Sequence, residues 1–387
     1  MSHIRKNTIY IYAFWGALFF ERSIWINYLQ HQRFTTIQIG LLQTLLTLAM
    51  FVCELPSGVL TDRLGPKRTM NLGHVLIIVY LLSMLLAVNY ASLIVGFLAY
   101  GVGLSLISGS DQTLLYQFHP EENYQHKIGI FEAITIIGLA LSSLLGGYLT
   151  TIAWSAIFVI GIVTQLGSMI LLGLIKVSPS SADQPVNETQ SIKQLLATLL
   201  ATLKMRHIRY LVLTAALFEG SISVLINFAQ LLFSAKHFSA YAAAVILTVA
   251  TGFSAVASVM LEKISLKIGT KRSIITFFIV TMLMFLPLFS GAFTWVIVGF
   301  LMMQFSFEFV DVALNAVIQD LANDRIRTSL ISSVNTLTAG LMFVETMLVS
   351  GLFSKFGVTN AFIVFGVVTT LLALLLYGGF LRTSKSA

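Results

Sequence analysis

Charge is scarce in this chain. Lys, Arg, Asp and Glu supply 10% of its residues, against about a quarter in soluble domains. With one cysteine, Cys53, no disulfide can form within the chain, and a secreted disulfide scaffold is excluded. The seven histidines show no metal-ligand spacing, and none completes a nucleophile system with Ser108, Ser110 and Asp111. No Gly-x-x-x-x-Gly-Lys-Ser/Thr phosphate loop occurs, so the sequence carries no ATPase motor. A soluble enzyme and a nucleic-acid binder are both excluded by composition, and no cofactor is expected.

What is present is apolar. Hydrophobic residues make up 57% of the chain, in blocks such as residues 7–20, 76–87, 134–149 and 361–380. A bilayer-spanning helix needs roughly 20 such residues, which predicts twelve spans: 8–30, 37–60, 70–88, 92–117, 128–150, 152–175, 208–232, 240–262, 273–290, 293–318, 329–351 and 359–380. With the N-terminus inside, Arg33, Lys236 and Lys355 fall outside and Arg22 falls within a span. That leaves 19 of the 23 basic residues on the cytoplasmic side (23 minus 4). Both termini are therefore expected in the cytoplasm. Residues 1–175 form an expected first bundle of six helices and residues 207–387 a second. Between them lies a linker, 176–206, whose Ile192, Leu195, Leu196, Leu199, Leu200 and Leu203 recur at helical spacing.

The halves repeat. Gly58-Val-Leu-Thr-Asp62-Arg63-Leu-Gly65-Pro-Lys67-Arg68 follows the second span, and Leu266-Lys267-Ile268-Gly269-Thr270-Lys271-Arg272 follows the eighth. Asp111 precedes Lys127 and Gly129 by the same intervals at which Asp311 precedes Arg327 and Ser329. Across residues 8–380 the chain resembles the major facilitator superfamily, and the 58–68 stretch resembles that family's signature between helices two and three. The resemblance implies an all-α membrane protein with two pseudo-symmetric six-helix bundles, a central cavity lined by helices one, four, seven and ten, and alternating access. Two departures stand out. Phe97 takes the place of an arginine found in proton-linked exporters, and Ser142 and Ser143 replace a glycine and a proline in the helix-five pattern Gly138-Leu-Ala-Leu-Ser142-Ser143-Leu-Leu-Gly146-Gly147.

Acids inside the spans are expected to face protein or water, because a charge facing lipid is costly. Glu21, Asp111, Glu219, Glu308 and Asp311 fall on the four implied cavity helices and are the candidates for proton coupling or substrate binding, together with Arg22. Glu308 and Asp311, three apart, share a helical face. Two nearby carboxylates resist simultaneous ionisation, which suits one of them to proton exchange. Glu54, Gly58, Asp62, Arg63, Gly65, Lys67, Arg68 and Glu132 form an expected cytoplasmic gate. In it Asp62 satisfies a neighbouring helix N-terminus, and Arg63 and Arg68 pair with Glu132 or Asp111. Gly101, Ser105 and Gly109, and Gly138, Gly146 and Gly147, are expected to let helices approach closely. Glu345 stands isolated, and all seven histidines stand outside the expected site.

These features together favour a proton-coupled exporter of small amphipathic or cationic compounds, acting as a monomer in a bacterial plasma membrane. An importer of a nutrient or metabolite would use the same acids. A receptor or lipid scramblase on the same fold would need none of them.

Overall fold

The computed structural model describes residues 2–86, 89–118, 124–175, 204–321 and 324–383. The expected linker helix of residues 192–203 and the Glu54 side chain lie outside what is described. Among the described residues, 11 helices are long and apolar enough to cross a membrane. Hydrocarbon offers no partner to a backbone N–H or C=O, so each apolar run satisfies its own backbone by coiling.

The first half contains α1 (Ser2–Gly16), α2 (Trp25–His31), α3 (Thr36–Leu64), α4 (Pro66–Leu86), α5 (Tyr90–Ile107), α6 (Ser110–Phe118), α7 (Tyr124–Leu149) and α8 (Trp154–Leu174). The second contains α9 (Arg206–Asn227), α10 (Ala229–Ala235), α11 (Ala240–Ile268), α12 (Thr270–Met284), α13 (Phe293–Leu321), α14 (Asp324–Phe356) and α15 (Val358–Thr383). A short 3-10 turn, Leu286–Phe289, follows α12.

Three expected spans are each split into two α-helices at an interior break, and the ninth, 273–290, closes with the 3-10 turn after α12. The first, 8–30, becomes α1 and α2 with non-helical residues between them. There the Glu21 carbonyl accepts from the Ile24 and Trp25 N–H groups at 2.9 and 2.8 Å, starting α2. The fourth, 92–117, breaks at Ser108 and Gly109. Gly109 has φ +78, a left-handed conformation that a Cβ disfavours. The seventh, 208–232, breaks at Phe228, whose N–H bonds back to Val224 and Leu225.

The internal repeat is visible in the backbone. Gly65 and Gly269 both take positive φ, +80 and +86, at an interval of 204 residues (269 minus 65). Arg33 and His237, with φ 66 and 62, stand at that same interval. So do the starts of α2 and α10, of α3 and α11, and of α4 and α12. The correspondence lapses at the fourth helix of each half, where α5 and α6 are broken and α13 is continuous.

Two compact units emerge. One comprises Met1–Gln32, Leu41–Gln190 and Ala240–Val245; the other comprises Arg33–Gly40, Ser191–Ser239 and Ile246–Ala387. In the first, Ile9, Tyr12, Ala13, Met70, Leu114, Leu115, Phe131, Leu172 and Ile175 form a buried apolar cluster joining α1, α4, α6 and α7 to the end of α8.

Candidate functional site

In the first unit the broken first helix delivers Glu21 to a closed position. Its residue exposure is 1%, and its Oε1 has no hydrogen-bond partner among the described residues. The hydroxyl of Tyr100 on α5 acts on the carboxyl. Tyr100 stacks on Tyr80 of α4 at 4.1 Å between ring centroids, and Phe97 packs edge-on to Tyr80 at 5.2 Å. Arg22, one residue on, is exposed, and its charge acts on Glu21. Neither residue is helical, so the adjacency that would separate them on a helix does not apply.

Helix α7 holds this break in place. A Cβ on Gly138 would stand 2.7 Å from the Phe14 carbonyl, and one on Gly146 would run into the Phe20 carbonyl. Between them Ser142 is buried, and Ser143 accepts from Ser23 Oγ at 3.2 Å. The serines that replace the family's glycine and proline thus keep the stripe narrow. A Cβ on Gly147 would meet Ala244 at 2.6 Å. Gly101 and Ser105 of α5 face α3, where a Gly101 Cβ would lie 2.6 Å from Leu46 O, and Ser105 Oγ donates to Met50 O at 3.1 Å. Gly109 departs from this stripe: beyond its chain neighbours, no atom of the described residues lies within 4 Å of the place of its Cβ. Its role is the turn between α5 and α6, not close packing.

The signature turn sits at the end of α3. Asp62, Arg63 and Arg68 are exposed, and Gly58 is half-buried. Lys67 donates to the Ile175 carbonyl at 2.6 Å, capping the C-terminal end of α8, where an unpaired carbonyl and the helix dipole favour a cation. Asp111 is used by its own helix start, accepting from the Gln112 N–H at 2.7 Å, and Glu132 is exposed. A buried tie absent from the sequence-derived site, Thr61 Oγ1 to Ser110 Oγ at 2.7 Å, joins the end of α3 to the start of α6.

The second unit gathers the remaining acids. Thr338 Oγ1 on α14 donates to Glu219 Oε2 on α9 at 3.3 Å. On α13, Gln304, Glu308, Asp311 and Asn315 follow at intervals of four, three and four, one face of a helix over about 16 Å. Ser258 of α11 donates to Glu308 Oε1 at 3.3 Å, Gln304 Nε2 donates to Ser254 Oγ at 2.9 Å, and Asn315 Nδ2 donates to Asp311 Oδ2 at 3.3 Å. The charges of Glu219 and Glu308 both act on Asp311. The structure therefore brings together three acids that the sequence placed on two helices. Glu21 and Asp111 belong to the other unit.

The sequence model of the Major Facilitator Superfamily matches residues 9–344. This chain belongs to that superfamily. It is a multi-pass membrane transporter, and transport, not covalent catalysis, is its class of function. Among curated facilitators, an uncharacterized transporter of Methanocaldococcus jannaschii is 28% identical over 121 residues, 31% of this chain and 30% of that protein. The chain thus matches about a third of that relative's length. A solved mutant of the nucleoside transporter NupG superposes with TM-score 0.80 at 11% identity, covering 97% of this chain and 98% of the other. A D-xylose-proton symporter superposes with TM-score 0.70 at 13% identity, covering 95% and 96%. These likenesses establish the two-bundle facilitator fold. They also overturn the expectation of an exporter: none of these proteins is described as one, and the last is described as a symporter.

One element of this facilitator was missed in the sequence. His74 of α4 has 0% exposure, and Gln165 Oε1 of α8 lies 2.6 Å from its Nδ1. A carbonyl oxygen only accepts, so Nδ1 carries the proton and Nε2 takes the Tyr12 hydroxyl of α1, 2.9 Å away. Proximity of His74 to a helix start made it look peripheral, yet it ties three helices. His74→Ala is expected to orphan both partners and to cost about 2–4 kcal/mol of stability, read as a lower unfolding midpoint of the detergent-solubilised protein.

Proposed function

We propose that this chain is a proton-coupled uptake transporter for a small polar nutrient or metabolite, working by alternating access as a monomer in a bacterial plasma membrane with both termini in the cytoplasm. The observation that carries this reading is the carboxyl group of three in the second unit: Asp311, on which Glu219 and Glu308 both act, held by hydroxyl and amide donors. Neutral donors leave an acid able to gain and lose a proton, whereas a fixed ion pair would lock its charge. Whole-chain likeness to a D-xylose-proton symporter supports inward coupling. Glu21, buried in the first unit with one oxygen unpartnered among the described residues, is a second proton or substrate contact. The 58–68 turn acts as a conformational latch, with Lys67 holding the end of α8.

The test is uptake into proteoliposomes carrying the purified chain, acidic outside, with radiolabelled sugars, nucleosides and short peptides offered in turn. Accumulation of one class above its external concentration, abolished by a protonophore, supports the reading. Accumulation only when the gradient is reversed would sink it.

A further inference from the structure

Two matched polar rungs join α11 to α13. Gln304 Nε2 donates to Ser254 Oγ at 2.9 Å, and one turn on Ser258 Oγ donates to Glu308 Oε1 at 3.3 Å. Both rungs link residues 50 apart (304 minus 254 and 308 minus 258), so they repeat in register along one face of each helix. Ser254 accepts from Gln304 and keeps its own hydrogen to donate, and its hydroxyl also acts on Glu308. Little else holds α11. Of its membrane-spanning stretch, 22% is buried inside the protein, against 61% for α9 and for α13. Glu345 of α14, isolated in the sequence, makes the contrast: it is 5% exposed and accepts from Ser221 Oγ of α9 at 2.7 Å, between two well-packed helices. Glu308 is half-buried, so a proton can reach it.

We propose that Ser254 and Ser258 are positioning residues that read the proton on Glu308: the carboxylate holds both hydroxyls and draws α11 against α13, and the protonated acid lets α11 slacken. A hydrogen bond to an ionised acceptor is roughly twice as strong as one to a neutral group. One proton, taken from water by a carboxyl oxygen, therefore weakens the rungs without breaking a covalent bond. The charged groups around Glu308 are Asp311 on its own helix, Glu219 of α9, which acts on Asp311, and the exposed Glu262 and Lys263 of α11, one turn past Ser258. Helix α12 stacks Phe277 on Phe309 of α13 and carries charge only in its first turn, at Lys271 and Arg272. The clasp rests on the proposed proton coupling, but its test follows helix motion with no solute present, so the two fail separately.

The experiment is hydrogen exchange of the full chain in lipid nanodiscs, at acidic and at alkaline pH. Exchange in α11 is read relative to α8 in the same sample, which cancels the intrinsic effect of pH on the amides. Relative to α8, α11 is expected to exchange about fivefold faster at acidic pH. Glu308→Gln, uncharged at either pH, is expected to keep α11 at the fast value throughout. Ser254→Ala combined with Ser258→Ala is expected to do the same. Ser254→Ala combined with Ser258→Thr, which returns one hydroxyl, is expected to recover part of the response. A response that survives Glu308→Gln would overturn the proposal, as would one that survives loss of both serines. An unaltered chain in which α11 ignores pH would end it as well. If the double serine variant does not fold, Glu308→Gln decides alone.

Discussion

Asp311→Asn is expected to reduce proton-driven accumulation in proteoliposomes about tenfold or more, while exchange of solute between equal concentrations on both sides persists. Asp311 is the acid on which two others act, and its own hydrogen bond comes from the neutral amide of Asn315. Asparagine keeps the size and an acceptor for Asn315 but cannot release a proton. A coupling free energy of ordinary size, 1–3 kcal/mol, corresponds to a 5–150-fold change. Glu219→Gln should act in the same direction. Undiminished accumulation in Asp311→Asn would remove Asp311 from the mechanism.

The largest structural effect is expected at Gly146. The Phe20 carbonyl occupies the place of a Gly146 Cβ, and backbone cannot swing aside as a side-chain tip can. Gly146→Leu should cost about 3 kcal/mol or more, at the upper end of overpacking penalties, and little monodisperse protein should be recovered from detergent. Gly173→Ala is the matched control. It lies in α8 with no atom of another described segment within 4 Å of its Cβ position, and alanine is the better helix former by about 1 kcal/mol. Equal yields from the two variants would show that α7 does not seat the first-helix break.

Hydropathy and basic-residue placement made the spans legible, because burial in hydrocarbon is an average over twenty residues and tolerates local error. The Gly65 and Gly269 pair was legible for another reason: a left-handed turn selects glycine and leaves a visible mark. The breaks were not. Residues 17–24 remain mostly apolar, so a scale that measures depth does not register lost helical torsions. Gly109 illustrates the ambiguity, since spacing from Gly101 and Ser105 suggested packing and its φ of +78 shows a turn. Tertiary partners were least legible. The grouping of Glu219 with Asp311 followed from helix assignment, but Ser221 beside Glu345 and Gln165 beside His74 depend on which faces of distant helices meet. Direction of transport had no local signature, because the same carboxyls serve a proton moving with a solute or against it.

The interruption in the first crossing bears on biogenesis. Helix α1 has 15 residues, about 22 Å, short of the roughly 30 Å hydrocarbon thickness, and Glu21 and Arg22 follow it. Thr36–Cys53, the stretch that follows, is one that insertion machinery would read strongly. The carbonyls of Phe14 and Phe20 find their seat only on Gly138 and Gly146, which leave the ribosome more than a hundred residues later. The segment from α1 to α2 is therefore made long before its seat exists, and a nascent chain stalled before α7 should expose that segment to proteolysis.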